Sequence, residues 1–182
     1  MNAVTETLSD WRDSIVDFLP AGGIARPLGV VLGVYVLVTV ILGVYWSMSP
    51  SEFDVQERAA AYAVEDGGSV VTGSVTTGAL MGVVETLLEK PGGFIHNDIF
   101  PPGLWLDNMP NWEYGVIVQV RDLARSMREV HSRSQSQSLE DPDLALAEPR
   151  FNFNTESWMF PASESEYRDG LNYTRNYFRR LS

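Results

Sequence analysis

The sequence predicts a mainly α protein, with a single N-terminal transmembrane helix followed by an irregular helical bundle that carries a long loop rich in proline, glycine and aromatic residues. Three observations carry this expectation. Leu28 to Met48 is a run of 21 residues without a charge. Apolar residues recur at three- and four-residue spacing through most of the chain beyond that run. Residues 91–112 break that period with prolines, glycines and large aromatics. The expected organisation is an amphipathic arm over 1–26, a membrane helix over 27–49 and one soluble helical domain over 50–182.

In the arm, Leu8, Trp11, Ile15, Phe18 and Leu19 share a face opposite Glu6, Asp10, Asp13 and Asp17, and Pro20-Ala21-Gly22-Gly23 ends it. So acidic a polar face binds anionic lipid poorly. It leaves a protein contact or a frayed juxtamembrane helix as the two readings.

The apolar run from Leu28 is long enough, at about 1.5 Å per residue, to cross roughly 30 Å of hydrocarbon. Pro27 falls in the first turn, where a helix accepts it, and Tyr45, Trp46 and Met48 close the span with two aromatics at headgroup level. No small-x-small cleavage site follows Trp46, so an uncleaved anchor is expected over a signal peptide. Gly29 and Gly33 form a small-xxx-small pair that lets a second helix approach closely. Arg12 and Arg26 precede the span against Arg58 after it, which places the N-terminus in the cytoplasm and the main domain in the periplasm or its equivalent.

A first soluble helix is expected over Glu52–Asp66, capped by Ser51 and closed by Gly67-Gly68. Ser69–Lys90 reads as a core helix on Leu80, Val83, Val84, Leu87 and Leu88, with Gly73, Gly78 and Gly82 for close packing. Its 18 uncharged residues from Gly67 to Val84 raise a second span, for which threonine, serine and glycine are poor material. Glu113 to about Arg133 is helical through Val116, Val120, Leu123, Met127 and Val130. Two heptads favour an ordinary bundle helix over a coiled coil. Arg121, Arg125 and Arg128 line a neighbouring face expected to be solvated, with Arg125 and Glu129 spaced to pair. Ser132–Ser138 is a polar linker. Asp141–Glu148 adds a short helix between Pro142 and Pro149, and a final helix starts near Ser163 on Tyr167, Leu171, Tyr177, Phe178 and Leu181. It runs to Ser182 without a cap signal, which predicts a longer parent protein.

Composition excludes several functions. With 24 acidic against 13 basic residues the net charge is −11, and Lys90 alone is a lysine. No cationic surplus exists to displace counterions from a phosphate backbone, so no nucleic-acid partner is expected. The absence of cysteine removes disulfides, thiolate nucleophiles and cysteine-based metal sites. Nucleophile elbows, phosphate-binding glycine loops and zinc-protease helices are also missing.

The loop over 91–112 is the candidate functional segment, with His96, Asn97, Asp98, Trp105, Asp107, Asn108 and Trp112 as its candidate residues. His96, Asp98 and Asp107 are adequate metal ligands in type, but their spacing matches no known site, so neither a metal nor a cofactor is expected. Asp98, Asp107 and Glu113 leave acid–base chemistry open. A structural histidine among turn-forming Asn and Asp residues explains the same pattern.

From Pro91 through Gly115 the run PGGFIHNDIFPPGLWLDNMPNWEYG resembles the signature of an uncharacterised family of proteobacterial membrane proteins, catalogued as a domain of unknown function. The likeness extends from the anchor to about Arg133. It implies a bacterial inner-membrane protein with one N-terminal span and members longer than this chain, and it implies no activity.

Two functions remain to be tested. The first is a non-catalytic interaction or scaffold component of the cell envelope, with the lipid bilayer and a protein partner or homo-oligomer, joined through helices, as its contacts. The second is an envelope hydrolase that uses carboxylates and His96 of the loop. The sequence leans away from an enzyme.

Overall fold

The computed structural model describes residues 24–131 and 140–181. Nearly all of the expected arm and the whole Ser132–Ser138 linker lie outside the described residues. The chain divides into two compact units, Met1–Leu42 and Gly43–Ser182. Among the described residues there are six α-helices and no strand, as the periodicity predicts.

Helix α1, Ala25–Trp46, is the one helix among the described residues long and apolar enough to cross a membrane. It is apolar all round: Leu28 and Val31 are each 64% exposed and Leu37 is 60% exposed. A helix of this kind needs either a protein core or lipid around it. The helix opens slightly before the expected run, with Arg26 and Pro27 in its first turn, and stops at Trp46. Met48 already lies in the turn beyond, where its N–H donates to the Tyr45 carbonyl at 3.3 Å.

In the second unit, α2 (Val55–Glu65) starts three residues later than the sequence suggests, because Asp54 rather than Ser51 caps it, accepting from the Glu57 N–H at 2.8 Å. Its end comes as expected: Gly67 at φ +75° lets the Gly68 N–H turn back to the Ala63 carbonyl at 2.8 Å. Helix α3 (Ser74–Glu89) begins after Gly73, which sits at φ +97°, and is the centre of the bundle, packing on α2, α4 (Asn108–Ser126) and α6 (Ser163–Leu181). The 67–84 stretch, whose composition raises a second span, is therefore part turn and part buried helix. A Cβ on Gly78 would stand 2.9 Å from the Ala59 Cβ, and one on Gly82 would stand 2.8 Å from the Phe53 ring, so both glycines admit α2 and its approach.

Helix α4 buries Met109, Glu113, Ile117, Val120 and Ala124, and a short π-helical stretch over Met127–His131, with Met127 buried, extends it. Val116 and Leu123, expected in the seam, flank the core rather than centre it. Helix α5 (Pro142–Phe151) is capped by Asp141, which accepts from the Asp143 and Leu144 N–H groups. It continues through Pro149 into its final turn. Arg121 receives the chain there, donating to the Phe151 carbonyl at 2.8 Å and the Phe153 carbonyl at 2.7 Å. Arg128 pairs with Glu148 at 2.5 Å, so of the arginine face only Arg125, paired with Glu129 at 3.0 Å, is the exposed intrahelical pair expected. Helix α6 docks on α3 and α5. Arg175 bonds Glu85 at 3.0 Å, and Arg180 holds both oxygens of Asp141 at 2.8 Å.

Candidate functional site

The loop that follows α3 is a succession of turns closed by a 3-10 turn over Gly103–Trp105. It ends earlier than the sequence reading has it. Asn108 to Trp112 are the first turns of α4, since Pro110 falls where a helix has no use for an N–H and the Asn111 N–H already donates to the Asp107 carbonyl at 3.1 Å.

One buried carboxylate organises the loop. Glu113, with no exposed side-chain surface, accepts from the Ile95 N–H at 3.0 Å and the His96 N–H at 2.6 Å, and it pairs with Lys90 at 2.5 Å. Lys90 is equally buried and also donates to the Gly93 carbonyl at 2.6 Å. Burial pushes the Glu113 carboxyl up, opposed by the ammonium and the two backbone N–H groups. An ion pair this deep holds because further hydrogen bonds meet the charges. Its effect is a clasp joining the exit of α3 to the first turns of α4.

The remaining candidates fall into separate surroundings. Nδ1 of His96 donates to the Pro110 carbonyl at 2.9 Å, and its ring stacks on Tyr114 with centroids 5.7 Å apart. Asn97 is buried and reaches a second loop, its Nδ2 donating to the Ser157 carbonyl at 2.7 Å and to Glu164 at 3.0 Å. Asp98 packs so closely on Gly103 that a Cβ there would meet its carboxylate. Burial raises the Asp98 carboxyl first and the nearby Glu164 raises it further, while Lys90 draws it back. Asp107 is exposed at the start of α4 and makes no side-chain cap. The exposed Asn108 donates to the Ser47 carbonyl at 3.3 Å. Trp105 is 59% exposed, whereas Trp112 leans on the bundle core. Among the described residues no three His, Asp or Glu side chains are gathered for a metal ion.

What these groups do build is a cleft of about 290 Å³, lined by Trp46, Asn97, Asp98, Phe100, Trp158 and Glu164 among others. Its far wall, Trp158 and Glu164, and the Lys90–Glu113 clasp are not evident in the sequence. The one signal for the clasp is a lone lysine in a chain whose other basic residues are all arginine. Of the span residues, Leu28 and Tyr45 are exposed, Gly29 is half-buried and Gly33 has open space beside it. Trp46 packs its indole on Gly92, where a Cβ would stand 2.8 Å away.

Residues 20–182 match a family described as an uncharacterized protein conserved in bacteria (DUF2333). No curated protein and no solved structure matches the chain.

Proposed function

The chain belongs to this conserved bacterial family, and on that premise we propose that it is a membrane-anchored protein of the cell envelope that works as an interaction or scaffold component. The observation that carries the proposal is α1, apolar on every side and exposed from Leu28 to Val38 save for the half-buried Gly29, a surface that lipid would cover. For a span in the inner membrane, Arg12 and Arg26 before it against Arg58 after it support an orientation with the N-terminus inside and the bundle in the periplasm. The polar groups of the loop favour a scaffold. Lys90, Glu113 and His96 bond the loop to itself and to the start of α4 rather than converging on an open site. Cross-linking in intact membranes, then purification in mild detergent, is expected to yield a discrete larger species; a clean monomer would contradict the scaffold reading.

One observation favours the hydrolase as a second reading: Asp98, with its raised carboxyl, shares a cleft with Glu164, as a general acid beside a second carboxylate would. On the scaffold reading, His96→Ala and Asp98→Asn complement a deletion strain in full. Loss of complementation by folded variants would favour the enzyme.

A further inference from the structure

The second unit displays large apolar side chains that its own core does not use. Ile99, Phe100, Leu104 and Trp105 stand exposed on the loop after α3, as do Trp158, Met159 and Phe160 on the loop before α6, with Phe160 at 93%. The two loops are neighbours, since Asn97 bonds Ser157 and both line the cleft with Trp46. Ile99 to Leu106 and Ser157 to Ala162 contain no charged residue. An apolar cluster of this kind on a domain with net charge −11 has a purpose other than solubility.

Its position relative to the end of α1 identifies what covers it. Gly43 to Trp46, the last turn of that helix, belong to the second unit. Around this turn the loop and the start of α4 are packed: Gly92 lies against the Trp46 indole, Asn108 bonds the Ser47 carbonyl, and Pro102 and Leu106 come within 4 Å of a Cβ on Gly43. Gly43 is three residues before the helix end, about 4.5 Å along the axis at 1.5 Å per residue. Pro102 therefore lies alongside the helix rather than beyond it. If Trp46 marks the level where hydrocarbon gives way to headgroups, this part of the loop sits at or below that level.

We infer that Phe100, Leu104, Trp105, Trp158 and Phe160 form a collar around the end of α1 that seats the folded unit in the headgroup and upper acyl layer of the bilayer. The inference rests on the membrane-anchor reading. The indoles of Trp105 and Trp158 suit this layer because each apolar ring carries one polar N–H, while Phe100, Leu104 and Phe160 add apolar area for the upper acyl chains to cover. Attraction to anionic lipid has no part in it, because the collar carries no lysine or arginine. Seating of this kind fixes the height and tilt of the bundle above the membrane.

The chain has no cysteine, so single introduced cysteines carry a spin label at one place each. Full-length protein in lipid nanodiscs is labelled at Leu104→Cys and Phe160→Cys in the collar, Leu37→Cys in α1 and Val64→Cys in α2, all positions exposed in the fold. Accessibility to dissolved oxygen and to a water-soluble nickel chelate is then compared. The collar labels should show an oxygen-to-nickel ratio at least about threefold that of Val64→Cys, as expected for side chains several ångströms below the headgroups. The ratio should be the same in zwitterionic and anionic nanodiscs. Collar labels as water-exposed as Val64→Cys, with Leu37→Cys in lipid, would overturn the collar and leave the anchor standing. A water-exposed Leu37→Cys would overturn the anchor itself. Collar labels shielded from both reagents would mean that protein covers this face, most simply a second copy of the chain, and would also overturn the inference.

Discussion

Residues 28–48 and 67–84 are both long uncharged stretches, the first strongly apolar and the second diluted by glycine, serine and threonine. The first forms most of a helix almost bare of side-chain neighbours, and the second is divided between a turn and the most enclosed helix of the bundle. The glycines show what separates them. A Cβ on Gly33 would meet nothing within 4 Å, while one on Gly78 would press into Ala59 and one on Gly82 into Phe53. In α3, Ser74 and Thr77 are buried and their hydroxyls serve local backbone, Thr77 donating to the Gly73 carbonyl at 2.9 Å. Apolarity alone names a segment that avoids water. Small residues facing a specific neighbour show that the neighbour is protein.

The two segments part most sharply at the end of α3, where the bundle depends on a charge pair that α1 has no counterpart for. Lys90→Met leaves Glu113 buried without its cation, at an expected cost of about 3–5 kcal/mol in thermal or denaturant unfolding of the detergent-solubilised protein. Lys90→Met with Glu113→Leu should recover only part of that, because the Ile95 and His96 N–H groups then lose their acceptor. Full recovery would show that the clasp is dispensable.

Truncating one leucine in each segment is the next test. Leu87 is fully buried, so Leu87→Ala should cost about 2–5 kcal/mol. Leu37→Ala should leave bundle unfolding unchanged. Smaller again is the glycine pair: Gly78→Ala should destabilise the bundle by about 1–3 kcal/mol through overpacking against Ala59, and Gly33→Ala should not destabilise it. Equal effects in either pair would erase the distinction drawn between the two segments.

The smallest effect concerns Asp98. Its folded pKa is raised above the unfolded value near 3.8, so the folded chain binds the proton more tightly. The penalty for ionised Asp98 is complete above the folded pKa and vanishes as pH falls to the unfolded one. Asp98→Asn should thus gain stability over the native chain as pH rises from 4 to 7, read as a widening difference in melting temperature. A difference independent of pH would mean that the carboxyl is not held in a desolvated site.

Helix positions are legible in the sequence because apolar period and caps are local, and the loop stands out by composition. Partners in the loop are not legible, since Asn97 meets Ser157 and Glu164 across 60 and 67 residues. By sequence Glu113 is one of three acid–base candidates beside Asp98 and Asp107, with nothing in its neighbours to mark it as buried. Its burial depends on Lys90 and on where two backbone N–H groups point, which no spacing in the sequence records. The start of α2 is misplaced by sequence because serine and aspartate both cap helices, and only the geometry chooses Asp54.

Which of the two apolar segments enters the membrane is the central question. Phosphatase and fluorescent-protein fusions placed after Asp66 and after Ser182 answer it, because the two sites flank α3. If only α1 crosses, both junctions report the same compartment, the periplasm. Opposite compartments at the two junctions would mean that the 67–84 stretch also crosses, and would contradict the single anchor.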